Sequence, residues 1–155
     1  SIGDIRDLVF DLSSPLLNQV GLAPALEEWL ENQVRKRHGI QTELIHDGQR
    51  LPLDDDVRTM LFRSVRELLT NVVKHARAQS VIVRLEKEGT YSRIVVEDDG
   101  IGFDVDALPR GTGRGRGFGL FSIEERMAAL GGSLELISNP GRGCRAILTA
   151  PATLE

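Results

Sequence analysis

The sequence predicts an α+β fold: a two-layer α/β sandwich in which a mixed, mostly antiparallel sheet carries helices on one face. Three observations predict it. Candidate strands come in pairs that are adjacent in sequence instead of alternating one by one with helices. Two of those pairs are joined by short turns, at Glu88-Gly89 and at Asn139-Pro140-Gly141. The segments between them show the three-to-four-residue apolar spacing of helices that bury a single stripe.

Taken in order, Ile5, Leu8, Val9 and Leu12 fall at helical spacing, and Ser13-Ser14-Pro15 is expected to end that helix. Pro24 suits a first turn, and residues 25–37 read as an amphipathic helix closed by Gly39. Residues 40–46 alternate as a strand, followed by a turn at Asp47-Gly48. Asp54-Asp55-Asp56 opens a long helix, where acids favour the positive end of the helix dipole. Its buried stripe is Val57, Leu61, Val65, Leu68, Val72 and Ala76. Residues 80–86 and 91–98 are Val- and Ile-rich strands. Residues 99–117 are crowded with glycine and read as a long functional loop or lid. A helix over 118–130 stops at Gly131-Gly132, and 134–137 and 146–150 are the last two strands.

The chain has 155 residues, enough for one domain with a core that needs no disulfide. Hydrophobic residues make up 41% and charged residues 27%, with a net charge of -4. That balance excludes a nucleic-acid binder driven by a basic surface. With one cysteine, Cys144, there is no internal disulfide, and the three histidines are scattered without zinc spacing. A reducing, cytoplasmic setting is expected, without membrane contact by this segment. The chain opens without Met and reads as a fragment of something longer.

Three constellations carry chemistry. On the long helix, Glu67, Asn71 and Lys74 share one stripe beside the apolar face. An amide oxygen suits Mg²⁺, Lys74 can meet a phosphate as a point charge, and Glu67 can take a proton. A plain solvated face would carry the same mix. Second, the strand ending Val95-Val96-Glu97-Asp98 runs into Asp99-Gly100-Ile101-Gly102-Phe103. Asp98 can accept a hydrogen bond from an exocyclic amine such as that of adenine, and Gly100 and Gly102 let backbone approach a flat ring. An ordinary Asp-Gly turn is the alternative, and Phe103 reads as a core plug. Third, Gly111, Gly113, Gly115, Gly117 and Gly119 lead without a break into a helix, with Arg110, Arg114 and Arg116 among them. Free N–H groups at a helix start make an anion cradle; a flexible linker is the alternative. There is no P-loop, no dinucleotide fingerprint, no Ser/Thr/Tyr kinase signature and no nucleophile elbow. Cys144, with no His partner in sequence, reads as structural.

RELLTNVVKHA, VEDDGIGFD, GRGFGL and GGSLELISNPGRGCRAIL, in this order, resemble the GHKL superfamily of ATP-binding domains. More narrowly, they are similar to the catalytic domain of sensor histidine kinases in which the glycine box runs into an ERMAALGG-type helix. The resemblance covers residues 16–151. It implies a Bergerat fold with Mg-ATP between the sheet-covering helices and a mobile lid. It implies that Asn71 ligates Mg²⁺, with Glu67 in the metal shell or supporting it. Lys74 and His75 would face the phosphates, Asp98 the adenine amine, and Gly100 and Gly102 the ring. The box Arg114, Gly115, Arg116, Gly117, Phe118, Gly119 and Leu120 would wrap the triphosphate. Asp99 stands where relatives often have Asn, and Cys144 where many have Thr. The activity implied is γ-phosphoryl transfer to a histidine on a dimerisation hairpin, with a response regulator downstream and a homodimeric full-length protein, its parent anchored in the inner membrane in some architectures. No acceptor histidine motif is present in this chain. Residues 1–21 are expected to be the tail of the hairpin and a linker, and 22–155 the ATP-binding domain. An ATPase of the gyrase or Hsp90 type, or a nucleotide-binding protein-interaction module, is the alternative.

Overall fold

The computed structural model describes residues 14–48, 50–105 and 119–153. The elements are α1 (Ser14–Val20), α2 (Leu22–Trp29, running on as a wider π-wound turn Leu30–Lys36), β1 (Gln41–Ile45), α3 (Asp55–Asn71, running on as a π-wound turn Val72–Ala76), β2 (Ser80–Glu88), β3 (Tyr91–Asp98), α4 (Leu120–Ala129), β4 (Ser133–Ser138) and β5 (Cys144–Pro151). The expected α+β sandwich is what forms. One five-stranded sheet runs in the order β1-β2-β3-β5-β4. β1 lies parallel to β2, with α3 in the connection between them, and the other pairings are antiparallel.

The two sheet faces differ as period-2 strands require. Val81, Val83, Ile94, Val96, Ala146 and Leu148 point into a core shared with Leu26, Leu61, Val65, Leu69, Ile123 and Met127 of the helices. The other face carries charge. Glu97 lies between Arg84 (3.7 Å) and Arg145 (2.8 Å), and Glu86 meets Arg93 at 3.1 Å. The stripe predicted on the long helix is the one it buries: Val57, Leu61, Val65, Leu68 and Val72 are all core residues, with Ala76 packed against them.

One segment differs from expectation. Ser14–Val20, expected within a linker, is helical. Leu17 is buried, and the buried guanidinium of Arg58 on α3 donates to Asn18 Oδ1 at 3.0 Å, Asp55 Oδ1 at 2.8 Å and the Leu53 carbonyl at 2.6 Å. Arg50 adds hydrogen bonds to the carbonyls of Asn18 and Gln19. The expected hairpin tail, Ser1–Leu12, lies outside the described residues.

Candidate nucleotide site

The site is built where β3 ends against the C-terminal turn of α3. Asp98, the last residue of β3, is only 8% exposed, and its Oδ1 accepts the Gly100 N–H at 2.8 Å. Burial raises its carboxyl above the usual aspartate range. The charges of Asp99 and Glu97 add to the rise, and backbone hydrogen bonds from Gly100 and Cys144 oppose it. Asp99 does a different job. Its Oδ1 accepts the N–H groups of Gln79 (2.8 Å) and Ser80 (3.0 Å), and its Oδ2 accepts the Ser80 hydroxyl at 2.9 Å. The Ser80 N–H above all holds this carboxyl below its usual range. Asp99 therefore fastens the end of β3 to the start of β2.

After Asp98 the chain forms a strap wedged between helix and turn. Ile101 N–H donates to the Ala76 carbonyl at 2.7 Å, and Gly141 N–H donates to the Ile101 carbonyl. A Cβ on Gly100 would lie 2.1 Å from the Ala76 oxygen. On Gly102 it would lie 2.2 Å from the Asn139 oxygen, at a left-handed φ of +64. So the space that glycine leaves at these two positions is filled by the chain's own backbone. The sequence had suggested that it admitted a ring. The buried Ser138 hydroxyl completes the strap, accepting the Phe103 N–H at 3.0 Å and donating to the Gly143 carbonyl at 2.7 Å.

These pieces enclose a cavity of about 260 Å³. Leu68, Val72 and Ala76 of the α3 arm form one wall; Val96, Leu136 and Ala146 form the sheet floor; Ile101, Gly102, Phe103 and Leu120 close the rim. The polar groups on its surface are Asn71, His75, Asp98 and Cys144. Burial, reinforced by the nearby Asp98 charge and opposed by the Ser138 hydroxyl, pushes the Cys144 thiol up to about 11. It is a neutral wall group at physiological pH. Phe103 packs against the core as a plug would, and it also lines the cavity, which the plug reading had not foreseen.

A second, polar space of about 500 Å³ adjoins the cavity and shares Asn71 and His75 with it. Glu67, Thr70, Lys74, Gly119, Ser122 and Arg126 line the rest. The wide-wound turn at Val72–Ala76 carries Lys74 and His75, and it ends at Arg77 with a left-handed φ of 51. Glu67 Oε1 accepts from Arg126 Nη2 at 3.0 Å.

Of the residues singled out by sequence, Glu67, Asn71, Lys74, His75, Asp98, Gly102, Gly119, Leu120 and Cys144 line these two adjoining spaces. Gly100 lies buried beneath them against Ala76. Arg114, Gly115, Arg116, Gly117 and Phe118 lie outside the described residues. Sequence reading missed Arg126, Ser138, the Ala76 carbonyl and the sheet floor. Among the described residues no group of three or more His, Cys, Asp or Glu side chains is placed to hold a metal ion. No described helix is long and apolar enough to cross a membrane.

Residues 56–154 match the family described as histidine kinase-, DNA gyrase B-, and HSP90-like ATPase. The chain belongs to this family. The match spans α3 to β5 and so covers both spaces of the site. An uncharacterized sensor-like histidine kinase of Chloroflexus aurantiacus is 33% identical over 152 residues, 96% of this chain and 25% of the relative. The signal transduction histidine-protein kinase/phosphatase DegS of Brevibacillus brevis is 32% identical over 155 residues, 100% of this chain and 39% of the relative. The chain thus spans a quarter to two fifths of the curated relatives it matches. Among solved structures, the blue-light activated histidine kinase of Erythrobacter litoralis EL346 superposes with a TM-score of 0.69 at 22% identity, over 85% of this chain and 42% of that one. At that identity the likeness shows the fold shared by this ATPase family.

Proposed function

We propose that this chain is the ATP-binding catalytic domain of a sensor histidine kinase, cytoplasmic and serving a dimerisation hairpin that bears the acceptor histidine. A response regulator would receive the phosphoryl group. The observation that carries this reading is Asp98. A buried carboxylate lies against an apolar cavity that opens directly into a recess holding Lys74 and His75. A flat base with an exocyclic amine matches the first space. Its amine would donate to Asp98 and so offset the cost of burying that charge. A polyphosphate matches the second.

Mg²⁺ fits the recess by donor chemistry. This cation is held by one or two protein oxygens plus substrate phosphates, and Asn71 and Glu67 both line the recess. Bound there, it would neutralise charge on the phosphates. In this reading Asn71 presents an amide oxygen to the cation, Lys74 and His75 orient the phosphates, and the apolar walls exclude water from the base. Of the glycine box expected to wrap the triphosphate, Gly119 lines the recess and Leu120 the cavity. Residues 1–21 belong to the hairpin tail and its connection, the helical part being seated on the core through Leu17.

The test is calorimetric titration with ATP, with and without Mg²⁺, on the wild-type chain and on Asp98→Asn. Loss of one charged hydrogen bond is expected to cost about 1.5–3 kcal/mol of affinity, roughly ten- to over a hundredfold. The variant should melt no lower than wild type, since a buried charge is removed. Equal ATP affinity in the two proteins would refute the assignment of Asp98.

A further inference from the structure

Trp29 is the only tryptophan of the chain, and neither half of the nucleotide site uses it. It stands in a groove of about 300 Å³ between α2 with its continuation and the end of α3. On the α3 side Leu69, Thr70, Val73 and Lys74 line this groove, whereas Leu68, Asn71, Val72 and His75 line the base cavity. At helical spacing these are roughly opposite sides of one helix. The bottom of the groove is apolar: Val34 and Leu69 are fully buried, and Trp29 and Val73 are half-buried. Trp29 is a firm wall. Its ring meets Phe62 edge-on at 6.4 Å between centroids, and the Arg66 guanidinium lies over it at 5.3 Å.

The rim has one sign. Among the described residues lining the groove, Arg37 and Lys74 are formal cations, both exposed, and none is Asp or Glu. Glu31, which lies between Trp29 and Gln33 in sequence, is taken up by Arg35 at 2.6 Å. The excess is local, since the chain as a whole carries -4. An occupant that covers the apolar floor and meets this rim is therefore apolar along one stripe and acidic beside it. It is also helical. Both walls are helices, whose backbone groups are already paired, so an extended segment laid between them would find no ladder to join. A helix brings its own backbone hydrogen bonds.

We propose that the groove between α2 and α3 is a docking site for an acidic amphipathic helix of a partner protein. Thr70 and Lys74 line both this groove and the polar recess. On the ATP-site reading above, a helix seated here is brought up beside the phosphates; the docking itself needs no nucleotide.

The experiment titrates the purified chain with designed helical peptides of about 16 residues, each carrying a Leu stripe flanked by Glu, by Gln or by Lys. Trp29 emission is read alongside calorimetry. The Glu peptides should bind saturably and shift the emission of Trp29. The Lys peptides should bind about tenfold more weakly or worse, with the Gln peptides between, and raised salt should narrow the gap. Arg37→Glu should weaken the Glu peptides about fivefold or more and strengthen the Lys peptides. If Arg37→Glu does not fold, Gln33→Glu carries the same test. Arg37 donates to Gln33 Oε1 at 3.1 Å, so that substitution neutralises the cation where it stands. No saturable binding of any Glu peptide overturns the proposal. So does equal affinity for Glu and Lys peptides, and so does binding that leaves Trp29 emission unchanged or survives the substitution undiminished. A chain that binds Glu peptides but no ATP defeats only the ATP-site reading, so the two failures are distinguishable.

Discussion

The two halves of the site are made in different ways. The apolar cavity is framed by backbone: the Ile101 N–H on the Ala76 carbonyl, glycines whose missing Cβ makes room for neighbouring carbonyls, and a sheet floor of Val96, Leu136 and Ala146. The polar recess is furnished by long side chains, Glu67, Lys74 and Arg126, projecting from two helices. The frame around the base is thus part of the fold, and substitutions at its glycines act through folding. Recognition of phosphate is laid on top of the fold, and substitutions there change function while leaving the frame intact.

The largest effect that could break this contrast is at Gly100. An alanine Cβ 2.1 Å from the Ala76 oxygen must displace backbone, and Gly100→Ala is expected to destabilise by about 3 kcal/mol. Chemical denaturation would measure it, and adenosine and ATP binding should fall together. A Gly100→Ala protein of wild-type stability would show that the frame yields. In the recess, Lys74→Met should leave the unfolding free energy within about 0.5 kcal/mol. It should weaken ATP about tenfold by removing one phosphate-facing charge and leave adenosine unchanged. Equal losses for both ligands would erase the distinction between the halves.

The smallest effect is pH dependence, where Asp98 and Asp99 oppose each other. Asp99 is held below the usual aspartate range in the fold. Its stabilising contribution is present above that range and is lost as pH falls through the depressed value. Asp98 is raised. Its ionised form therefore costs stability at neutral pH, and that cost is relieved as pH falls through the raised value. Melting curves from neutral to acid pH should show a shallower acid loss in Asp99→Asn than in wild type. Asp98→Asn should show a steeper one.

Much of this was legible in the sequence because it repeats locally. The stripe from Val57 to Val72 announces its helix by spacing, and the Val- and Ile-rich strands announce theirs by alternation and turn residues. Asp98 was visible because a β-run ending in acid and glycine is a distinct pattern. What stayed hidden depends on contacts across the fold. Arg126 finds Glu67 from 59 residues away, and Ser138 reaches Phe103 from 35; no local pattern encodes either meeting. The wide turn at Val72–Ala76 ends where the Ala76 carbonyl accepts the Ile101 N–H, and no breaker residue within it marks it in the sequence. Ser14–Val20 escaped because Pro15 read as a stop. Yet a first-turn residue has no intrahelical use for its N–H, so proline is tolerated there.

The glycine-lined strap also governs how such a site can vary. Gly100, Gly102 and Gly143 face carbonyl oxygens of Ala76, Asn139 and Asp98 at distances no side chain tolerates. Any sequence keeping this backbone must therefore keep glycine at these three positions. Variation is left to the side chains that line the cavity, Cys144 and Leu136 on the sheet and Ile101 and Phe103 beside the strap. Differences in ligand preference among proteins built this way should accordingly accumulate in those side chains and not in the glycines, and an inhibitor that discriminates between such proteins would do so by touching those side chains.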